Sequence, residues 1–205
     1  NLYIAGNRNR LIELAKGKYV VWQDADDISF PNRIKHQLEF MEKHFEVGIV
    51  GGYLEFFNEI GISSIRKYAP ADQTLRKHIF MFSPVAQPGA MVRKQCFKEL
   101  GMYDLHFPPA EDIEMSFRIG TKYQFANIQE KVVRYRESQT SATFKKLRKI
   151  ELSTLEARRR YFNHLCYRAT EIDKVYNLLQ FISIFLIPSK LKIWCFNNMR
   201  NRKDL

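Results

Sequence analysis

Asp24-Ala25-Asp26-Asp27 follow directly on the apolar run at 19–23, and a helix signal opens just behind them at Pro31. Clustered carboxylates are thus expected at the C-terminal end of a buried strand, where α/β sheets bind ligands. Two aspartates at i and i+2 can converge their oxygens on one hard divalent cation. Mg²⁺ and Mn²⁺ accept such a set, one or two carboxylates completed by substrate phosphates. The competing use of the same acids is to cap the helix that follows. A second pair, Glu111-Asp112, comes after the turn-rich stretch at 107–110 and heads another helical run. The partial positive charge of a helix N-terminus is expected to lower the pKa of a carboxylate there and keep it ionised. An ionised Asp in a cleft can take a proton from a hydroxyl as general base. Without chemistry, the pair would be an acidic N-cap.

These residues need elements to position them. The spacing predicts a helix over 11–15 that stops at Lys16-Gly17, then a short buried strand over 19–23. Ile34, Leu38, Met41 and Phe45 recur at helical spacing behind Pro31 and mark the expected buried face of the next helix. A second buried strand covers 47–52, and 53–57 and 64–68 pair across Asn58-Glu59-Ile60-Gly61. A helix follows over 71–82, a strand over 89–93 and a helix over 94–100 stopping at Gly101. Beyond the helix at 113–119, short strands cover 125–127 and 132–136. From Phe144 onward the pattern is almost continuously helical, with Pro188 as the main breaker. The alternation up to residue 136 indicates an α/β class with a mixed sheet.

A chain of 205 residues with 45% hydrophobic and 27% charged residues can bury an ordinary core. Its net charge of +11 is unevenly spread: residues 1–144 hold 19 Lys+Arg against 17 Asp+Glu, residues 145–205 hold 14 against 5. The basic character belongs to the tail. Lys145, Lys146, Arg148, Lys149 and Arg158-Arg159-Arg160 alternate there with apolar residues, and Phe181, Ile182, Ile184, Phe185 and Leu186 precede Lys190, Lys192 and Trp194. Such helices either lie in the interface of an anionic bilayer or pack back on the domain with their charges solvated. The stretch at 178–188 is about half the length needed to span a bilayer. Nucleic-acid binding is the minor option, since no recognised module accompanies the charge. Cys96, Cys166 and Cys195 are far apart and read as reduced thiols of a cytosolic chain, and the five histidines form no zinc-type cluster.

The acidic sites stand in an ordered series. Gly6-Asn7-Arg8-Asn9 and Gly17-Lys18-Tyr19-Val20 lead into Asp24-Ala25-Asp26-Asp27, Pro31-Asn32-Arg33 and Gln37; then come Gly51-Gly52, Gln87-Pro88-Gly89, Leu100-Gly101-Met102-Tyr103-Asp104, Ala110-Glu111-Asp112 and Tyr135-Arg136. Over residues 1–141 this resembles glycosyltransferase family 2, the inverting nucleotide-sugar transferases of the GT-A fold. The resemblance implies a GT-A mixed sheet flanked by helices over 1–141, with a basic helical extension over 142–205. By the same resemblance Asp24 and Asp26 match the DxD motif that holds Mg²⁺ or Mn²⁺ and the donor's diphosphate and ribose, with Asp27 a weaker candidate. Arg8 and Asn9 match residues near the nucleotide, and Arg136 lies where the family often places an Arg beside the donor phosphates. Asp112 matches the catalytic base, and Glu111 the residue that helps place the acceptor.

Three departures qualify the match. The family's first strands are absent, so the chain starts partway through the fold and the fragment's own activity is in question. Gln87 stands where many relatives have His before Pro. The Gln-x-x-Arg-Trp pattern of processive synthases is missing after Asp112. The expectation is therefore a non-processive, metal-dependent hexosyltransferase that moves one sugar from a nucleotide-diphosphate donor to a glycan or lipid-linked acceptor. Its expected setting is surface-polysaccharide synthesis in the cytoplasm, peripheral at the inner face of the membrane. The alternative is an inactive GT-A-like binding or scaffold module.

Overall fold

The computed structural model describes residues 3–107, 109–137, 142–188 and 191–192. Helix α1 (Tyr3–Leu14) leads into β1 (Tyr19–Val21), the acidic loop and a two-residue strand, β2 (Ile28–Ser29). Then come α2 (Arg33–Lys43), the long β3 (Val47–Asn58), β4 (Gly61–Arg66) and α3 (Asp72–Lys77). A 3₁₀ turn at Gln87–Gly89 precedes β5 (Met91–Arg93), α4 (Lys94–Leu100), α5 (Glu111–Ile119) and β6 (Gln124–Arg136). Two helices follow, α6 (Ala142–Tyr161) and α7 (Glu171–Leu186).

The strands form one mixed sheet in the order β1-β5-β3-β6-β2. β3 and β6 run parallel along the length of β3; the other pairings are antiparallel. Since β6 occupies one edge of β3, β5 and β4 share the other, β4 returning across the Asn58–Gly61 turn. The sheet's alternation splits the core. Val20, Ile49 and Val92 face a layer with Ile12, Cys96, Phe97, Met115, Phe117 and Phe125, under α1, α4 and α5. Val50 and Met91 face Met41 of α2 on the other side. The close approach of β3 and β6 depends on glycine: a Cβ on Gly52 would stand 2.5 Å from Val132 Cγ1.

The structure departs from the sequence expectations in several places. The strands over 47–52 and 53–57 are one strand, β3, as are those over 125–127 and 132–136, now β6. α3 stops at Lys77, short of the expected 82. The tail breaks at 162–169 between α6 and α7, well before Pro188. α2 is turned over. Its buried residues are Arg33, Gln37 and Met41, whereas Ile34, Leu38 and Phe45 are exposed, Phe45 to 68%. The hydropathy pattern loses here because Arg33 and Gln37 find four backbone carbonyls beneath the helix.

Both final helices meet the rest of the protein. Tyr161 of α6 stacks on Phe117 with ring centroids 4.7 Å apart, and its hydroxyl donates to Glu114 Oε1 at 3.0 Å. Arg158, buried, donates to Met81 O at 2.7 Å. α7 starts with a capping box in which Thr170 and Asp173 satisfy each other's backbone N–H. Among the described residues, no helix is long and apolar enough to cross a membrane. Cys96 is buried and Cys166 exposed, both free, while Cys195, Lys190 and Trp194 lie outside the described residues.

Candidate active site

The acidic loop hangs from the end of β1, and its shape is set by Arg33. This guanidinium, 2% exposed, donates to Trp22 O at 2.7 Å, Gln23 Oε1 at 2.9 Å and Ser29 Oγ at 3.0 Å. Gln23 relays the hold, its amide donating to Asp24 O at 3.1 Å and Asp27 O at 2.9 Å. Gln37, one turn along α2, donates to Gly89 O at 2.7 Å. Burial pulls the Arg33 pKa down to about 10, which leaves it charged at neutral pH. On the far side, Arg136 at the end of β6 donates its backbone N–H to Asp27 Oδ1 at 2.9 Å and its Nε to Asp26 O at 3.2 Å.

A second structure, built around Arg8, carries Glu111-Asp112. Arg8 Nη1 meets Glu111 Oε1 at 2.8 Å, with its guanidinium carbon 5.4 Å from the Trp22 ring and 5.7 Å from the Tyr103 ring. Asn9 grips the Tyr103 backbone on both groups: its amide nitrogen donates to Tyr103 O and its oxygen accepts from Tyr103 N, each at 2.9 Å. Gln87 Nε2 donates to the Tyr103 hydroxyl at 2.6 Å. That contact gives the glutamine at this position a partner of its own. Residues from α1, β1, the 102–107 loop and α5 therefore converge on one arginine.

The electrostatics tie the two acidic sites together. Burial raises the pKa of Asp24, opposed by Arg8 and reinforced by Asp26. Burial also raises Glu111, helped by Asp112 and opposed by Arg8. Asp112 is raised as well, first by burial, against the pull of Arg8 and of the Ile113 N–H that its Oδ1 accepts at 2.9 Å. This corrects the expectation that the helix N-terminus would lower it: the backbone donors there do not outweigh desolvation. Asp27 is pushed up to about 6, chiefly by burial, with Asp24 and Asp26 adding to the rise. Three buried polar atoms around these sites have no hydrogen-bond partner: Trp22 Nε1, Asp27 Oδ2 and Glu111 Oε2. Such atoms are rare and seek a ligand.

A carboxylate cluster held at a strand end beside a cationic guanidinium, with a second acid pair across it, is what a phosphate-bearing donor and a hydroxyl acceptor would require. Comparison with known proteins gives the family and the fold. The sequence profile of glycosyl transferase family 2 matches residues 1–101. An uncharacterised glycosyltransferase of Methanocaldococcus jannaschii is 27% identical over 198 residues, 92% of this chain and 67% of that protein. The chain belongs to glycosyltransferase family 2. Another relative, the Escherichia coli UDP-Gal:alpha-D-GlcNAc-diphosphoundecaprenol beta-1,3-galactosyltransferase, is 25% identical over 187 residues, 89% of the chain and 66% of that enzyme. Among solved structures, a mannosyltransferase of Pyrobaculum calidifontis in complex with GDP-Man and Mn²⁺ superposes with a TM-score of 0.54 at 12% identity, over 90% of this chain and 50% of that one. The fold is accordingly GT-A. The chain spans from about half to two thirds of the length of these proteins.

For a family 2 chain, Arg33, Trp22 and Tyr103 are the site residues that sequence reasoning left without a role. Arg33 and Gln37 carried a signal: two long polar side chains at i and i+4, one turn behind an acidic loop. Trp22 stood only within the expected buried strand, and Tyr103 only within the Leu100–Asp104 motif. Among the described residues no three His, Cys, Asp or Glu side chains converge as a metal cluster. The acidic loop fits a cation of the kind that takes one or two carboxylates and keeps its remaining positions for phosphate and water. Carboxyls raised by burial and mutual repulsion, one with an unpartnered buried oxygen, are an environment that a divalent charge would relieve.

Proposed function

We propose that this protein transfers a single sugar, with inversion, from a nucleotide-diphosphate donor to a glycan or lipid-linked acceptor. The observation that carries the reading is Arg8, one guanidinium that pairs with Glu111 and whose field reaches both Asp24 and Asp112. Asp112 is the general base. Burial raises its pKa, which makes its carboxylate a stronger base than that of an exposed aspartate. It removes the acceptor proton as the acceptor oxygen bonds to the anomeric carbon; the bond from that carbon to the diphosphate oxygen breaks, and the electron pair leaves with the nucleoside diphosphate. Glu111, fixed by Arg8, offers its free Oε2 to an acceptor hydroxyl. Asp24 and Asp26 would hold Mg²⁺ or Mn²⁺, which supplies Lewis-acid stabilisation of the leaving diphosphate. Arg8, Asn9 and Arg136 line the donor side, Asn9 through its hold on Tyr103.

Two relatives support the finer points. The Escherichia coli enzyme is named for a lipid-linked diphosphate acceptor, and the Pyrobaculum complex contains GDP-Man and Mn²⁺. A lipid-linked acceptor places the reaction in surface-polysaccharide synthesis at the cytosolic face of a membrane, with residues 145–205 in peripheral contact with anionic lipid. The test is a nucleotide-sugar panel with Mn²⁺ on the complete gene product, scoring donor turnover and thermal shift. Asp112→Asn is expected to lose transfer by about 10²–10⁴-fold while still responding to donor. Asp26→Asn is expected to lose both. No turnover of any donor by the parent, with the biological role intact in both variants, would favour the inactive-scaffold reading instead.

A further inference from the structure

α7 is an amphipathic helix whose polar side faces the protein. Asp173 and Asn177 are buried, and Gln180 and Ser183 are half-buried on the same side. Asn177 Nδ2 donates to Phe80 O at 3.0 Å, and Gln180 Oε1 accepts from Arg158 Nη1 at 2.8 Å. The opposite arc is apolar and open. Val175, Leu178, Leu179, Ile182, Phe185 and Leu186 are between 41% and 74% exposed. Their spacing of i, i+3, i+4, i+7, i+10 and i+11 makes a continuous stripe along the helix. A surface helix of a soluble domain ordinarily buries such a stripe, so a long exposed one marks an interaction surface.

The charges beside the stripe point to its occupant. α6 runs antiparallel to α7, since Arg158 meets Gln180 while Arg148 meets Phe185. The Arg148 guanidinium carbon lies 4.7 Å from the centre of the Phe185 ring, and Lys146 and Lys149 are exposed on the same turn of α6. Arg148 therefore sits at the apolar tip of α7, with two more exposed cations within two residues of it in α6. A second copy of this chain seated there would bring together two segments that each carry 14 Lys+Arg against 5 Asp+Glu. Like-charge juxtaposition of that size opposes pairing. An anionic bilayer satisfies both features, taking the apolar stripe into its interface and the cations among its headgroups. At 16 residues α7 is too short to span, so it would lie flat. We propose that the outward stripe of α7, with Arg148 at its tip and Lys146 and Lys149 exposed nearby on α6, docks the protein on an anionic lipid surface; this deepens, and rests on, the reading of a transferase that works on a membrane-held acceptor.

The test is co-sedimentation of the full chain with phosphatidylcholine vesicles with and without phosphatidylglycerol. The expected result is partition that grows with phosphatidylglycerol and falls with salt. Leu179→Ser combined with Phe185→Ser should weaken it about tenfold or more. Lys146→Ala, Arg148→Ala and Lys149→Ala together should remove the preference for the anionic vesicles. These positions are exposed, so an unchanged melting midpoint certifies the fold of each variant. Partition indifferent to the α7 changes would overturn the proposal. So would a lipid-free dimer, seen by sedimentation velocity, that the same two changes dissolve. Absence of partition for the complete gene product would overturn it too, because another segment then covers the stripe. Failure of the transferase reading looks different: protein that binds vesicles through α7 yet turns over no sugar donor sinks that reading alone.

Discussion

Replacing Arg33 by Met isolates what the buried guanidinium does for the acidic loop, since the methionine keeps much of the side-chain volume. The change removes donors to Trp22 O, Gln23 Oε1 and Ser29 Oγ, at 2.7, 2.9 and 3.0 Å. Hydrogen bonds from a charged group contribute about 1.5–3 kcal/mol each. Against that, the variant no longer has to desolvate a guanidinium, a relief of several kcal/mol. The net expectation is a loss of about 2–4 kcal/mol, because the Trp22 carbonyl and the Gln23 amide oxygen stay behind without their partner. For a chain of this size that corresponds to roughly 5–15 °C in melting midpoint. Arg33→Lys should recover only part, as one ammonium cannot fork to acceptors on both sides of the loop. The assay is thermal unfolding followed by fluorescence, with and without Mn²⁺ and nucleoside diphosphate. In the parent the nucleotide should raise the midpoint; in Arg33→Met that increment should shrink. A variant within about 0.5 kcal/mol of the parent, with the nucleotide increment intact, would refute the argument that Arg33 shapes the loop.

Two further outcomes follow from the site and core. Asp112 is raised above its ordinary value of 3.8, so the acid limb of kcat/KM should titrate above that value, with activity rising as pH increases through it. The same shift makes Asp112 a group whose ionisation costs stability, so its contribution falls as pH rises from 3.8 through the folded value; an acid limb at or below 3.8 would count against Asp112 as the base. Cys166 is exposed, whereas burial pushes the Cys96 thiol up to about 12. Iodoacetamide followed by peptide mass spectrometry should therefore label Cys166 in the native protein and Cys96 only on unfolding; early modification of Cys96 would contradict its place in the core.

Legibility of the sequence varied with what each signal encodes. The position of the acidic loop at the end of β1, the Asn58–Gly61 turn and the head of α5 at Glu111 were all readable, because each rests on local spacing and turn chemistry. The burial face of α2 was not. Periodicity ranks side chains by hydropathy, and Arg33 is buried for the sake of carbonyls it meets only after folding, one of them Ala90 O, 57 residues away. The same limit hid the orientation of α7, whose polar arc is claimed by Phe80 O and Arg158. The direction of the Asp112 shift was misread because the helix terminus is visible in sequence and the depth of burial is not. Trp22 and Tyr103 were legible as aromatic residues, but nothing local says that they flank Arg8.

The placement of Arg8 has a consequence for binding equilibria. One cation opposes the burial-driven rise in pKa of Asp24, Glu111 and Asp112 alike, so whatever alters its field at one carboxyl is felt by the other two. Coupling of this kind is reciprocal by thermodynamic necessity. Occupancy of the Asp24 end must therefore change the proton affinity of Asp112 by the same factor that the protonation of Asp112 changes affinity at the Asp24 end. On the proposed reading, affinities at the two ends of the site form one linked pair, and a substitution at Arg8 would weaken the link.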